Sequence, residues 1–225
     1  MNILIKKTNR KKTIAIQINE GLVLVSAPKT ISKTEIDSFI QKKLPWIKKK
    51  LQIESEKIIP ERKKYLNGEY FLFMEKKLKL NITSIKGERS CINDCEIKIV
   101  LKKNDINNSS KIKIELEKIY KKYAFQILKE KTFSIADSLN VNPKRIKVRS
   151  YKRRWGSCSH DKNISYNWKL IMAPEKIINY VIVHELCHLI HFNHSRDFWN
   201  SVSDTLPDYK SSKEWLKLNQ DLFNW

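Results

Sequence analysis

Short alternating or unbroken apolar runs are scattered through the first hundred residues of this chain, and apolar positions recur at every third or fourth residue over much of the remainder. Residues 13–18, Thr-Ile-Ala-Ile-Gln-Ile, alternate strictly, and residues 22–25 resume an apolar run after the turn formers Asn19, Glu20 and Gly21. Such runs on either side of a short polar turn predict a β-hairpin. Ser32-Lys33-Thr34-Glu35 has the spacing of a capping box and predicts a helix to about Lys43, with Pro45 kinking the chain before Trp46 and Ile47. Strand patterns return at residues 70–73, 78–82 and 97–100, with Asn67-Gly68 marking a turn ahead of them. From Lys111 to about Lys131, Ile112, Leu116, Ile119, Tyr123 and Ile127 or Leu128 recur at helical spacing. Two short strands are expected at residues 146–149 and 164–168.

These elements predict an α+β fold without internal repeats. The polar residues 104–110 suggest the boundary between an N-terminal α+β region, 1–104, built on the hairpin and its helix, and a second domain, 111–225. The second domain carries the last strongly apolar segment. There Pro174 and Glu175 suit a helix start, and Ile177, Ile178, Val181, Ile182, Leu186 and Leu189 form a broad apolar surface ending near Phe192 and Asn193.

Four of the five histidines lie in this segment, at His184, His188, His191 and His194. His184-Glu185-Leu186-Cys187-His188 reads H-E-x-x-H. Residues i and i+4 share a helix face, so two imidazoles reach one zinc ion while Glu185 is placed to act as base on a water. His194, six residues after His188, supplies a third ligand if the chain turns back after the helix. His191 competes for that role, but it lies seven residues from His184, about 10 Å along a helix axis, too far for both to converge on one ion. Glu214, Asp197, Asp204 and Asp208 are weaker alternatives.

The formal charge of +21 raises a second possibility, contact with nucleic acid. The basic residues are spread along the whole chain and are mostly lysine, which fits a general compositional bias as well as a binding surface. No apolar run is long enough for a membrane span and the N-terminus lacks a signal-peptide pattern, so a cytoplasmic protein is expected. Cys91, Cys95, Cys158 and Cys187 then read as reduced thiols, with Cys187 as core filler in the metal helix.

Arg154-Trp155-Gly156-Ser157-Cys158-Ser159, the H-E-x-x-H segment, Asn193-His194-Ser195, Phe198-Trp199 and Pro207-Asp208-Tyr209 together closely resemble the YgjP-like predicted metal-dependent hydrolases, relatives of the SprT-like zinc metallopeptidases. The resemblance implies a zincin-like fold, His184, His188 and His194 as metal ligands, and Glu185 as the catalytic residue. The spacing also fits the metzincin pattern, but His191 occupies its glycine position and no Met follows Met172. Residues 154–159 read either as a turn stabilised by a packed Trp155 or as a strand edge that grips an extended peptide. Tyr209 reads as a core residue or as a phenol aimed at a developing oxyanion.

The function expected is zinc-dependent hydrolysis of peptide or protein substrates. The alternative is a basic nucleic-acid-binding protein whose zinc site is structural and closed by Cys158, His160 or an acidic residue. Glu185 separates the two, because a structural site has no use for an acid beside the metal.

Overall fold

The computed structural model describes residues 2–19, 21–55 and 62–225. Residues 1–59 and 60–225 form two compact units. Glu20, in the middle of the expected hairpin turn, lies outside the described residues.

In the first unit, β2 (Ala15–Asn19) and β3 (Leu22–Pro28) pair antiparallel from Ala15 opposite Ser26 to Asn19 opposite Leu22. A strand with no counterpart in the sequence reading, β1 (Asn2–Thr8), adds to β3 in parallel and makes β3 the centre of a three-stranded sheet. Its side chains are almost all exposed, so backbone pairing rather than apolar alternation defines it. The buried face of β3, Val23, Val25 and Ala27, shares a core with Ile36, Ile40 and Ile47 of α1 (Lys33–Ser55). The capping box is present: Ser32 N–H donates to the Glu35 carboxylate at 2.9 Å and Glu35 N–H to Ser32 Oγ at 3.3 Å.

The helix does not end near Lys43 as expected but continues through Pro45 to Ser55. An interior proline costs about 3 kcal/mol. Fully burying Ile47 recovers about 1.5–3 kcal/mol, and Leu51 packs on the same core one turn further. Continuing the helix keeps both residues on its buried face.

The second unit has two sheets and four helices among the described residues. The first sheet has the order β4-β5-β7-β6, from β4 (Tyr70–Phe73), β5 (Lys76–Thr83), β6 (Cys91–Ile92) and β7 (Glu96–Val100). The long α2 (Ser109–Ser138) follows, its first turn capped by Asn108, whose side chain accepts from Lys111 N–H. The second sheet has the order β8-β10-β9, from β8 (Arg145–Arg149), β9 (Gly156–Cys158) and β10 (Asn163–Asn167). Then come α3 (Glu175–Cys187), α4 (Arg196–Thr205) and α5 (Tyr209–Asn219).

Leu80, Ile97 and Ile99 of the first sheet share one core with Leu116, Tyr120 and Leu128 of α2, Tyr166 of β10 and Ile178 and Ile182 of α3. Residues 104–110 therefore lie inside this unit, as a short helical turn and the cap of α2, and the chain does not divide there. Polar composition marks a surface connection, but a sheet whose apolar face needs α2 cannot separate from it. Among the described residues no helix is long and apolar enough to cross a membrane.

Candidate metal centre

α3 enters the core through Ile178, Ile182, Val183 and Leu186, all buried, and this packing fixes which face carries His184 and His188. Their ring centroids are 5.0 Å apart and nearly perpendicular. The helix stops at Cys187, short of the expected end near Phe192. His188 closes it, and its Nδ1 lies 3.0 Å from the backbone carbonyl of His191. A carbonyl only accepts, so Nδ1 donates, and in the neutral imidazole this tautomer leaves the Nε2 lone pair for a ligand. That contact bends the chain back, and Ser195 starts α4 by accepting from Phe198 N–H at 3.3 Å.

His194 falls in this connection. Its Nε2 lies 3.1 Å from Nε2 of His184, and nitrogens of His184, His188 and His194 all lie within 4.8 Å of one another. Among the described residues this is the one group of three or more His, Cys, Asp or Glu side chains close enough to hold an ion. His191 is not in it: its ring points to α4, with Nε2 at 3.2 Å from Ser201 Oγ. Asp197, Asp204, Asp208 and Glu214 are also outside the group, and Asp208 instead faces Lys176 at 3.6 Å.

Aromatic rings hold the cluster from behind. Phe198, fully buried, stacks on His188 with centroids 4.5 Å apart and meets His184 edge-on at 5.0 Å. Trp199 stacks on His194 at 5.6 Å and on Tyr209 at 5.3 Å, with the Lys213 ammonium 4.1 Å from its ring. Burial, reinforced by His188, His194 and Lys213, pushes His184 down to about 3, so it stays neutral. Burial also lowers His194, with His188 and Lys213 adding to the effect.

The donor set suits a divalent cation: three imidazoles whose protonation is disfavoured or whose tautomer leaves Nε2 open. Nδ1 of His184 is buried without a hydrogen-bond partner, and its Nε2 confronts another imidazole nitrogen, so no single tautomer satisfies both its nitrogens. A cation beside the two Nε2 atoms gives both lone pairs a partner.

Glu185 is 5% exposed and lines the same cleft of about 380 Å³ as the three histidines, Arg154, Gly156, Cys158, His160 and Phe192. Burial pushes its carboxyl up to about 8, against the opposing charge of Arg154. The Cys158 thiol is raised to about 11, first by burial and then by Glu185.

The Glu185 shift has a sign that can be measured. Folding raises its pKa from the ordinary 4.5 to about 8, so the folded metal-free protein binds this proton more tightly than the unfolded chain. Its contribution to stability is complete below about pH 4.5 and lost as pH rises through 8. Glu185→Gln is therefore expected to raise the Tm of chelator-stripped protein more at pH 8.5 than at pH 5. Equal shifts at the two pH values in thermal unfolding would contradict this.

Residues 154–159 hold both a packed Trp155 and an edge strand. The Trp155 ring packs on Phe223 with centroids 5.4 Å apart, and Gly156–Cys158 is an edge strand paired only to β10. Tyr209 is half-buried under Trp199 and does not line the cleft. The sequence reading assigned no role to Phe198 and Trp199, to the His191 carbonyl, or to Gly156. Gly156 carried a usable signal, because glycine within a strand marks close approach of another group.

A family model described as YgjP-like, metallopeptidase domain, matches residues 12–219. No curated protein matches the chain. Among solved structures, the metallopeptidase zymogen abylysin of Pyrococcus abyssi is 21% identical, covering 41% of this chain and 95% of its own, with a TM-score of 0.38. The metallopeptidase zymogen jannalysin of Methanocaldococcus jannaschii is 27% identical, covering 42% of this chain and 96% of its own, with a TM-score of 0.37. With the family model spanning nearly its whole length, the chain belongs to the YgjP-like family through its metallopeptidase domain.

Proposed function

We propose that this protein is a zinc-dependent metallopeptidase of zincin-like fold in which His184, His188 and His194 hold the ion and Glu185 is the general base. Membership of a metallopeptidase family implies a metal ion and a peptide substrate. The observation that carries the finer reading is the convergence of three imidazole nitrogens, within 4.8 Å of one another, beside a buried carboxylate in one open cleft. Among the described residues no fourth His, Cys, Asp or Glu joins the three, as suits a site that leaves a coordination position for substrate chemistry. That arrangement disfavours a structural zinc closed by Cys158 or His160.

When bound, zinc supplies Lewis-acid chemistry, polarising a scissile carbonyl and bringing the pKa of a water toward about 7. The chain's own residues do the rest. The His188 Nδ1–H bond to the His191 carbonyl orients one imidazole, and the Phe198 and Trp199 rings fix the others. Glu185 accepts the proton of the attacking water and returns it to the leaving amine. The free edge of β9, where Gly156, Ser157 and Cys158 line the cleft, offers backbone groups to an extended peptide.

Zinc at about one equivalent per chain is expected after reconstitution of protein purified without a polyhistidine tag. His194→Ala should lose that zinc. His191→Ala should retain it within a few fold, since alanine keeps the carbonyl that orients His188. Competition against a chelator measures both, and the reverse order would mean that the third ligand is wrongly assigned.

A further inference from the structure

The backbone of β9 runs so close to Glu185 that a side chain at residue 156 has no room. A Cβ built on Gly156 would lie 2.5 Å from Glu185 Oε1 and 2.7 Å from both Cδ and Cγ, far inside van der Waals contact. Backbone conformation does not require this glycine. Gly21, Gly68 and Gly87 are the glycines with positive φ, whereas Gly156 sits in regular antiparallel pairing opposite Tyr166. Its requirement is therefore spatial, and the group needing the space is the Glu185 side chain.

Glu185 has little else to fix its position. Among the described residues none donates a hydrogen bond to its carboxylate, and Arg154 acts on it only as a nearby charge. A side chain that is 5% exposed without a hydrogen bond takes its rotamer from packing. The wall it packs on is the Gly156 backbone.

We propose that Gly156 is a positioning residue for this enzyme: its missing side chain makes the space that the Glu185 carboxylate fills, and its backbone holds that carboxylate in the cleft lined by His184, His188 and His194. This rests on the reading of Glu185 as the general base. Any Cβ at residue 156 pushes the carboxylate aside, because the extended strand, paired to β10, gives less readily than a side-chain torsion. The histidine rings are packed by Phe198 and Trp199 of α4 and stay where they are.

The test is a comparison of Gly156→Ala in two backgrounds, the wild type and Glu185→Ala, with metal affinity, Tm and kinetics measured on the full chain. In the wild-type background, Gly156→Ala should bind zinc normally. Its kcat should fall by about 100-fold, as expected for roughly 1 Å of misplacement, with KM nearly unchanged. Its Tm should fall by about 4 °C, and that loss should disappear in Glu185→Ala, where the space is empty. If Gly156→Ala fails to fold alone, folding of the double variant supports the proposal and failure of both overturns it. An equal Tm loss in the two backgrounds overturns it, as does a wild-type kcat in Gly156→Ala. A wild type that cleaves no peptide defeats the peptidase reading alone, and the Tm comparison still decides whether Gly156 makes room for Glu185.

Discussion

Glu185→Gln is expected to lower kcat by about 10²- to 10⁴-fold, the usual contribution of a positioned general base, while retaining the fold and the metal. The amide has nearly the same shape as the carboxyl, so the packing against Gly156 survives. It does not accept the proton of the attacking water, so the chemical step fails. If substrate binds along the β9 edge as proposed, Glu185 takes no part in that binding and KM should change little. The measurement is turnover at equal zinc occupancy. Equal turnover by wild type and variant would mean that Glu185 is not the base.

The second large effect concerns the ion. His184→Ala or His188→Ala removes one of three imidazoles, and the zinc affinity should fall by more than the roughly 10- to 100-fold that loss of an outer-shell partner costs. Activity should disappear with it. His184 should be the more damaging position, since its ring touches Phe198 and Trp199 as well as both other histidines. Its truncation also opens a gap in a buried aromatic cluster. Elemental analysis beside thermal unfolding separates lost ligation from lost packing. Unchanged zinc content in both variants would remove these histidines from the site.

The positions of His184 and His188 were legible because helical spacing alone sets which residues share a face, and α3 is made helical by its own apolar pattern. His194 could be reached by excluding His191 on axial rise, and in the structure the His191 ring does turn away toward Ser201. The early end of α3 was not legible. It depends on a side chain to backbone contact from His188 to the His191 carbonyl, which no periodicity encodes.

The same limit explains the fold. β2, β3, β4, β5 and β7 announced themselves by apolar patterns, whereas β1 has almost no buried side chains and exists through pairing with β3. The helix was expected to end near Lys43, but Ile47 and Leu51 beyond Pro45 share the buried face, and the helix continues through the proline. Residues 104–110 resembled a linker because they are polar, yet the sheet before them and the helix after them share one core. Gly156 signals close approach of some group, but that the group is the Glu185 side chain emerges only in three dimensions.

The most direct measurement is the appearance of new N-termini when zinc-loaded protein is incubated with a broad peptide and unfolded-protein library, with and without DNA, followed by mass spectrometry. Cleavage that requires zinc, stops on chelation, returns on re-addition and is absent from Glu185→Gln is the expected result. Full zinc occupancy with no cleavage of any substrate, together with tight and steeply salt-dependent DNA binding, would contradict it and favour a nucleic-acid-binding protein with a structural metal.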